Sequence, residues 1–429
     1  MSEAPPSIEE PARTTPVTHS TDVLVVGGGS AGVAAAVAAA REGADVMLVE
    51  RHGYLGGLAT GGLIVLLLTL DDGRGRQVIA GLCQELVERM QRRGGAWHPP
   101  PEQWGSDDAA LIEQARRWGL VWGHGPHRVR YSVAFDPETM KQDLAEMLVE
   151  SGVRPLFHCW ACEPVVEDGL VVAVAFQGKS GRFAVRARAV VDATGDGDLF
   201  AAAGCAHEKA KVLPWLWFTV GGVEDVDEAL SQGAAGFRTL GPGRMLMPWG
   251  ATPKVSRQID ATSPEDLSYA ELACRRSVME EFEKIRREMP GGRDAHLCRV
   301  ADQLGITESR RLVGRAVVAR DDMGRHFDDA VAITGHWTKY GATYQIPYPA
   351  LVARELPNLL VAGRCISVDH RVHHATKEIP ACMATGEAAG TGAALALGAG
   401  VTPADVDVSS LRRRLLEKGA ILSLEDSVG

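Results

Sequence analysis

Apolar and polar positions along the chain fall into a few short, well-marked patterns. Asp22–Val26 is short, apolar and β-branched, which predicts a buried strand. Three glycines follow, and then "SAGVAAAVAAA" predicts a small-residue helix to about Glu42, stopped by Gly43. "DVMLVE" predicts a second, parallel strand ending at Glu50, so the start of the chain reads as one strand–helix–strand unit. In "FDPETMKQDLAEMLVESG", Asp136 stands as N-cap and Pro137 at the first helical position. An amphipathic helix is predicted from Gln77 to Arg93, another near Ala109 to Trp118, and a long charged one from about Pro264 to Glu288. "VLPWLWFTVGG" reads as a strand carrying two tryptophans. Two more buried strands are predicted in "AVVDATG" and "NLLVAG", with a final helix starting after Pro380. No internal repeat or low-complexity core segment is apparent.

Composition narrows this picture. The 429 residues suffice for two or three cores, and 45% hydrophobic with 23% charged residues is a globular balance. The net charge of -10 disfavours nucleic acid or an anionic membrane as partner. Residues 1–20 are rich in Pro, Ser, Thr and Glu, lack the features of a signal peptide, and are expected to be a disordered tail. The strongest apolar run, Leu63–Leu70, is far too short to span a bilayer, so no membrane association and a cytoplasmic location are expected. Eight cysteines spread over such a chain are expected to be free thiols. Cys159 and Cys162 have redox-motif spacing but fall on a predicted strand, where residues i and i+3 point to opposite faces.

The chemistry begins at Gly27-x-Gly29-x-x-Gly32, between the first strand and its helix. Gly27 permits the tight turn, Gly29 lets a pyrophosphate approach the backbone, and Gly32 lets helix and strand pack closely. The helix start, with Ser30 and Ala31, offers N–H groups to the phosphates, and Glu50 is placed to accept hydrogen bonds from a ribose. An acidic residue there disfavours the 2′-phosphate of NADP, yet NAD and FAD both fit this unit.

Three later segments separate the two. A glycine-rich loop, "RHGYLGGLATGG" (Arg51–Gly62), directly follows the acidic strand and would bring bare backbone to a longer ligand. "AVVDATGDGDLFAAAG" runs a buried strand into Ala193-Thr194-Gly195. "NLLVAGRCIS" ends a strand at Gly363-Arg364 ahead of "EIPACMATGEAAGTGAALAL". On these segments, taken in order from Asp22 to Leu397, the sequence resembles the FAD-dependent oxidoreductases of the glutathione-reductase-like flavoprotein superfamily, distant relatives of fumarate reductase flavoproteins. The resemblance implies an α/β fold. Its Rossmann-like FAD-binding domain, of glutathione reductase type, would be assembled from discontinuous segments with an inserted α+β substrate domain. It implies FAD as cofactor. Gly27, Gly29, Ser30, Ala31 and Gly32 would hold the pyrophosphate, Glu50 the adenosine ribose with Arg51 beside it, and Ala161 would pass its backbone by adenine. Gly57, Ala59 and Thr60 would run along the ribityl chain and flavin, and Ala193, Thr194 and Gly195 would lie under the cofactor. Gly363 and Arg364 would approach the ribityl and pyrophosphate groups, while the last helix would aim its N-terminus, near Cys382 and Met383, at the flavin N1–C2 carbonyl edge.

The implied layout places the FAD-binding domain at 21–65, 132–205 and 345–410. A helical insertion would occupy 66–131, a substrate or cap domain 206–344, and a C-terminal helix and tail 411–429. Candidate catalytic side chains lie in three clusters: Arg310 beside Arg311, which on a strand face opposite ways; His336 in "TGHWTKYGATYQIPYP"; and His373 and His374 in "DHRVHHATKEIP". The histidines lack the accompanying Cys or carboxylate set of a metal site, so no metal is expected. Lys377 stands where related proteins carry an arginine, which weakens any transfer of anion-binding roles. No second GxGxxG and no iron–sulfur cysteine spacing is present. The expected activity is hydride transfer between flavin N5 and a small polar metabolite, carboxylate-bearing ones among the options, with oxygen or an outside carrier as electron partner. An NAD-dependent dehydrogenase, a non-catalytic flavin-binding subunit and a flavin-dependent RNA-modifying protein are the competing readings.

Overall fold

The computed structural model describes residues 8–248 and 255–426. Residues 1–7 of the expected tail, 249–254 of the expected cap and 427–429 at the C-terminus lie outside the described residues.

Strand β1 (Val17–Val26), helix α1 (Ser30–Arg41) and strand β2 (Val46–Val49) form the predicted unit, with β1 and β2 parallel and Val23 opposite Val46. Helix α2 (Pro137–Glu150) starts as predicted, with the Asp136 carboxylate accepting from Thr139 N at 2.8 Å. It leads to β3 (Arg154–Leu156), β4 (Trp160–Glu167), β5 (Leu170–Gly178), β6 (Gly181–Asp192) and, much later, β7 (Leu359–Val361). These strands make one sheet in the order β3-β2-β1-β6-β5-β4, with β7 also pairing β6. β6 joins its two parts. Gly181–Arg186 pairs antiparallel with β5, while Val190–Asp192 pairs parallel with β7.

The other edge of β6 follows β1 back to Val17, opposite Ala184. Residues 17–20, expected in the tail, are therefore strand. Their side chains are mostly exposed, so pairing with β6, rather than any hydrophobic pattern, holds them in the sheet.

The last helix, α3 (Ile379–Gly398), lies against α1 with almost no space between them. A Cβ on Gly386 would fall 2.1 Å from Ala31 O, and one on Gly390 2.0 Å from Ala35 O. Small residues thus bring the two backbones into parallel contact, with Ala31 level with Gly386 and Ala35 with Gly390, so that α3 starts ahead of α1 and both helices point their N-termini the same way. α3 begins at Ile379, before Pro380 rather than after it, because proline suits the first helical turn.

Outside the main sheet, the expected helices occur at Gly81–Arg92, Ala109–Arg117 and Pro264–Glu288. The first starts later than predicted, and residues 66–131 are not purely helical. Leu66–Leu67 and Ala96–Trp97 both pair with Val133–Phe135. Phe237–Arg238, Met245–Met247, Phe218–Gly221 and His296–Val300 form a four-stranded antiparallel sheet. The expected strand with two tryptophans is broken: Val212 ends one short strand, Lys211–Val212, and Phe218–Gly221 forms another. Pro214 lacks the N–H a ladder needs, and Trp215 and Trp217 precede the second strand. The hairpin Ala330–Gly335/Thr343–Pro347 packs on α3 and straddles the expected boundary at 344/345. Among the described residues no helix is long and apolar enough to cross a membrane.

Candidate functional site

A cavity of about 740 Å³ opens where β1, β6 and β7 end, the usual place for a ligand in such a sheet. Gly27, Ala193 and Ala362, which follow these strands, all line it. Gly27 has φ +105°, and a Cβ there would fall 2.4 Å from Ala193 O. Gly32 is not on the wall; its Cβ would lie 1.8 Å from Gly27 O, so it serves the packing beneath the turn. Gly29 is on the wall, and a Cβ there would meet open space. No side chain caps α1, and its first internal bond runs from Val33 N to Gly29 O at 3.0 Å. The N–H groups of its first turn therefore lie at a bare backbone cradle, a donor set suited to a pyrophosphate.

Glu50 is buried at the end of β2 and lines the cavity. Its carboxylate accepts from Gly28 N at 2.5 Å and His52 N at 2.7 Å, which fixes it beside the cradle. Arg51 lies over the Trp160 ring at 5.2 Å, and both line the cavity with Ala161 and Cys162. Gly57 and Ala59 are also wall residues, whereas Thr60 turns inward and donates to Leu55 O at 2.5 Å.

Asp192 at the end of β6 is wholly buried and organises the next turn. It accepts from Thr194 Oγ1 at 2.7 Å, Leu199 N at 3.0 Å and Phe200 N at 3.1 Å, and burial pushes its carboxyl up to about 6. This holds Ala193, Thr194 and Gly195 on the wall. Arg364 donates to Gly195 O at 2.9 Å and Asp196 at 2.7 Å, and lines the cavity beside Gly363. Arg310 joins the same group, reaching Asp196 O and Asp198, each at 3.0 Å. Arg311 faces the other way, as alternation predicts, and is buried against Glu308 and Glu208.

At α3, Lys377, Glu378, Ile379 and Cys382 are wall residues. The first internal bond is Cys382 N to Glu378 O at 2.9 Å, so the unpaired N–H groups belong to Ile379 and Ala381. Met383, expected at this edge, is one position too deep in the helix and is fully buried off the wall.

Of the four expected catalytic side chains, only Arg310 lines the cavity. His336 is buried just off the wall: its Nδ1 accepts from Thr338 N at 3.2 Å, and the neighbouring Trp337 takes the wall position. Burial, with Lys339 next, pushes His336 down to about 4, so it is neutral at ordinary pH. His373 and His374 are off the wall because "HRVHHAT" coils into a short helix, His370–Thr376. That turn buries His373 beside Glu308, at 3.7 Å, and leaves His374 ring-to-ring with His370 at 5.6 Å. Among the described residues no group of His, Cys, Asp and Glu could hold a metal ion.

Sequence reasoning missed Trp122, Trp160, Trp215, Trp217 and Trp337 as wall residues. Their one signal was the placement of tryptophans next to glycine-rich or cofactor-like segments. It also missed Arg130, which is wholly buried with Asp71 at 2.9 Å. Arg130 donates to the carbonyls of His336, at 3.2 Å, and Trp337, at 3.0 Å, and so holds that loop against the insertion.

The profile of the family described as FAD dependent oxidoreductase matches residues 22–231 and 218–415. The chain belongs to this family. It is an FAD-dependent enzyme, built on a Rossmann-like FAD-binding fold, and the cavity fits that cofactor through its bare glycine cradle and uncapped α1. The flavoprotein is 28% identical over 179 residues to digeranylgeranylglycerophospholipid reductase 1 of Methanopyrus kandleri, covering 41% of this chain and 39% of that protein. It thus spans well under half the length of this curated relative. In fold it is similar to p-nitrophenol 4-monooxygenase from Pseudomonas putida, with TM-score 0.50, 14% identity and coverage of 95% of this chain and 88% of that one. A geranylgeranyl bacteriochlorophyll reductase-like protein of Thermoplasma acidophilum is similar at TM-score 0.49 and 15% identity, over 94% of this chain and 84% of that one.

Proposed function

We propose that this flavoprotein exchanges a hydride with its substrate at flavin N5, and that its FAD domain is of the glutathione-reductase-like type related to fumarate reductase flavoproteins. The observation that carries the reading is the pair of helix N-termini, α1 and α3, opening on one cavity. α1 with Gly29, Ser30 and Ala31 holds the pyrophosphate, Glu50 the ribose, and Arg51 with Ala161 the adenine. Gly57, Ala59, Ala193, Thr194 and Gly195 line the path between, and Gly363 with Arg364 flank it. The start of α3, at Ile379 and Cys382, meets the flavin N1–C2 carbonyl edge, where a helix N-terminus stabilises negative charge.

Bound FAD supplies a reversible hydride acceptor. The chain supplies orientation, exclusion of water and a proton. The proton is held at Lys377 Nζ, which is 2.8 Å from Glu378 Oε1 on the cavity wall. Arg310 fixes the Asp196–Asp198 turn rather than a substrate. His336, His373 and His374 lie off the wall, so of the expected catalytic side chains Arg310 alone remains beside the cavity. Oxygen or an outside carrier serves as electron partner. Anaerobic titration of the purified holoprotein across hydroxy acids, amino acids, enoates and aromatic alcohols tests the reading. Bleaching of the flavin by one class supports it; a flavin that dithionite reduces but no organic compound bleaches contradicts it.

A further inference from the structure

We infer that the substrate is a planar, largely apolar molecule held against a wall of indoles; this rests on reading the cavity as the FAD site. Trp122, Trp215, Trp217 and Trp337 line the same cavity, together with the aliphatic Ile64 and Leu66. Apart from Ile64, at the end of the first cofactor segment, none of them belongs to the segments that cradle the cofactor. The other five come from three separate excursions of the chain: the insertion, the segment before the four-stranded sheet, and the hairpin that packs on α3. Three excursions converging with their largest apolar side chains on one cavity is the composition of a ligand pocket.

The indoles are held rigidly. Trp122 and Trp337 meet edge to face, with centroids 5.7 Å apart at 70°. Trp215 and Trp217 lie 5.3 Å apart at 37°. Trp122 Nε1 donates to Gly119 O at 2.5 Å, and its carbonyl accepts from Tyr340 at 3.2 Å. The ring of Trp215 rests on Gly305, where a Cβ would fall 2.1 Å from it. Arg130 fixes the carbonyl of Trp337 at 3.0 Å. Pre-set aromatic faces of this kind bind flat apolar ligands at little entropic cost.

Charge points the same way. Of the cations that line the cavity, Lys377 is engaged with Glu378 at 2.8 Å, Arg364 with Asp196 at 2.7 Å and Arg310 with Asp198 at 3.0 Å, while Arg51 lies over the Trp160 ring at 5.2 Å. Lys377 also lies 5.5 Å over the Trp337 ring. A small acid would lose its hydration against indoles without gaining a dedicated partner, whereas an apolar ring loses nothing. Lys377 and Glu378 leave one polar edge, suited to a single hydroxyl or carbonyl on an otherwise apolar molecule.

The test uses the FAD-loaded protein and four probes: 2-naphthol, indole, L-lactate and succinate. Binding is read from the flavin difference spectrum and from tryptophan fluorescence. We expect saturable perturbation by 2-naphthol and indole, and none by lactate or succinate at a hundredfold higher concentration. Trp337→Ala and Trp122→Ala should each weaken 2-naphthol about tenfold, with Trp122→Phe close to the parent protein. Ile64→Glu, at a half-buried wall position, should block 2-naphthol binding when compared with the parent protein at equal FAD occupancy. Perturbation by succinate or lactate alone, or equal 2-naphthol affinity in all variants that retain FAD, overturns the inference. A protein that purifies without FAD overturns the parent reading instead. Naphthol binding to a flavin that no compound bleaches sinks the hydride step and leaves the substrate class standing.

Discussion

At Gly32 a methyl group would lie 1.8 Å from Gly27 O, so the residue fixes how closely α1 approaches the end of β1. Gly32→Ala should cost about 1–3 kcal/mol of stability by overpacking and should lower the flavin content of the purified protein. Denaturant titration and flavin absorbance check both. Trp160 poses the opposite case. It is 57% exposed, so the fold does not depend on it, yet it carries the Arg51 guanidinium 5.2 Å above its ring on the cavity wall. Trp160→Ala should leave the denaturation midpoint unchanged and weaken FAD binding by about threefold to thirtyfold, the range for a cation–π contact. Rebinding of FAD to the stripped protein, followed by flavin fluorescence, measures it. Unchanged affinity would remove Arg51 and Trp160 from the adenine site. The glycines were legible in the sequence because a phosphate cradle needs consecutive backbone positions. Trp160 was not, because its neighbour Arg51 lies on a different strand–loop junction and only the sheet brings them together.

Helix α3 does two jobs at the scale of elements. Its glycines let it touch α1, and Gly390→Leu should separate the helices, since even a Cβ would sit 2.0 Å from Ala35 O. Gly398→Ala, where a Cβ meets open space, is the matched control and should be neutral or slightly stabilising. Thermal unfolding and flavin retention of the two variants decide the point. Glu387, on the same helix, accepts from Leu82 N at 3.0 Å and so caps the start of the Gly81–Arg92 helix from a distant part of the chain. Burial pushes its carboxyl up from 4.5 to about 7. Between those values the folded state keeps a proton that the unfolded state has released. Stability from this group is therefore greatest below about pH 4.5, falls as pH rises, and levels off above about pH 7. Glu387→Gln should remove that slope, with a difference on the order of 1–3 kcal/mol between pH 5 and 8 by denaturant titration. Identical slopes in the two proteins would show that the carboxyl does not titrate in this range.

For the whole molecule, the strand–helix–strand start, α2 with its Asp136 cap, the long helix Pro264–Glu288 and the strands leading to Gly195 and Gly363 could all be read from the sequence. Each is a local pattern with its own stop signal. The catalytic face could not. "DHRVHHAT" stands just before α3 in the chain, but one short helical turn directs His373 to Glu308 and away from the cavity. The indole wall is assembled from residues 122, 215, 217 and 337, which share no spacing and meet only after the excursions dock. The early start of β1 was hidden for a related reason, since backbone pairing with β6 leaves no hydrophobic period to read.

The central claim is that FAD lies along the cavity from Arg51 and Trp160, past the α1 cradle, to the start of α3. A crystal structure of the FAD-loaded protein tests it most directly. The account predicts the adenine beside Arg51 and Ala161, the pyrophosphate at Gly29–Ala31, and the isoalloxazine edge at Ile379 with the indole wall facing its ring. Adenine at the indole wall, or the pyrophosphate away from α1, would contradict it.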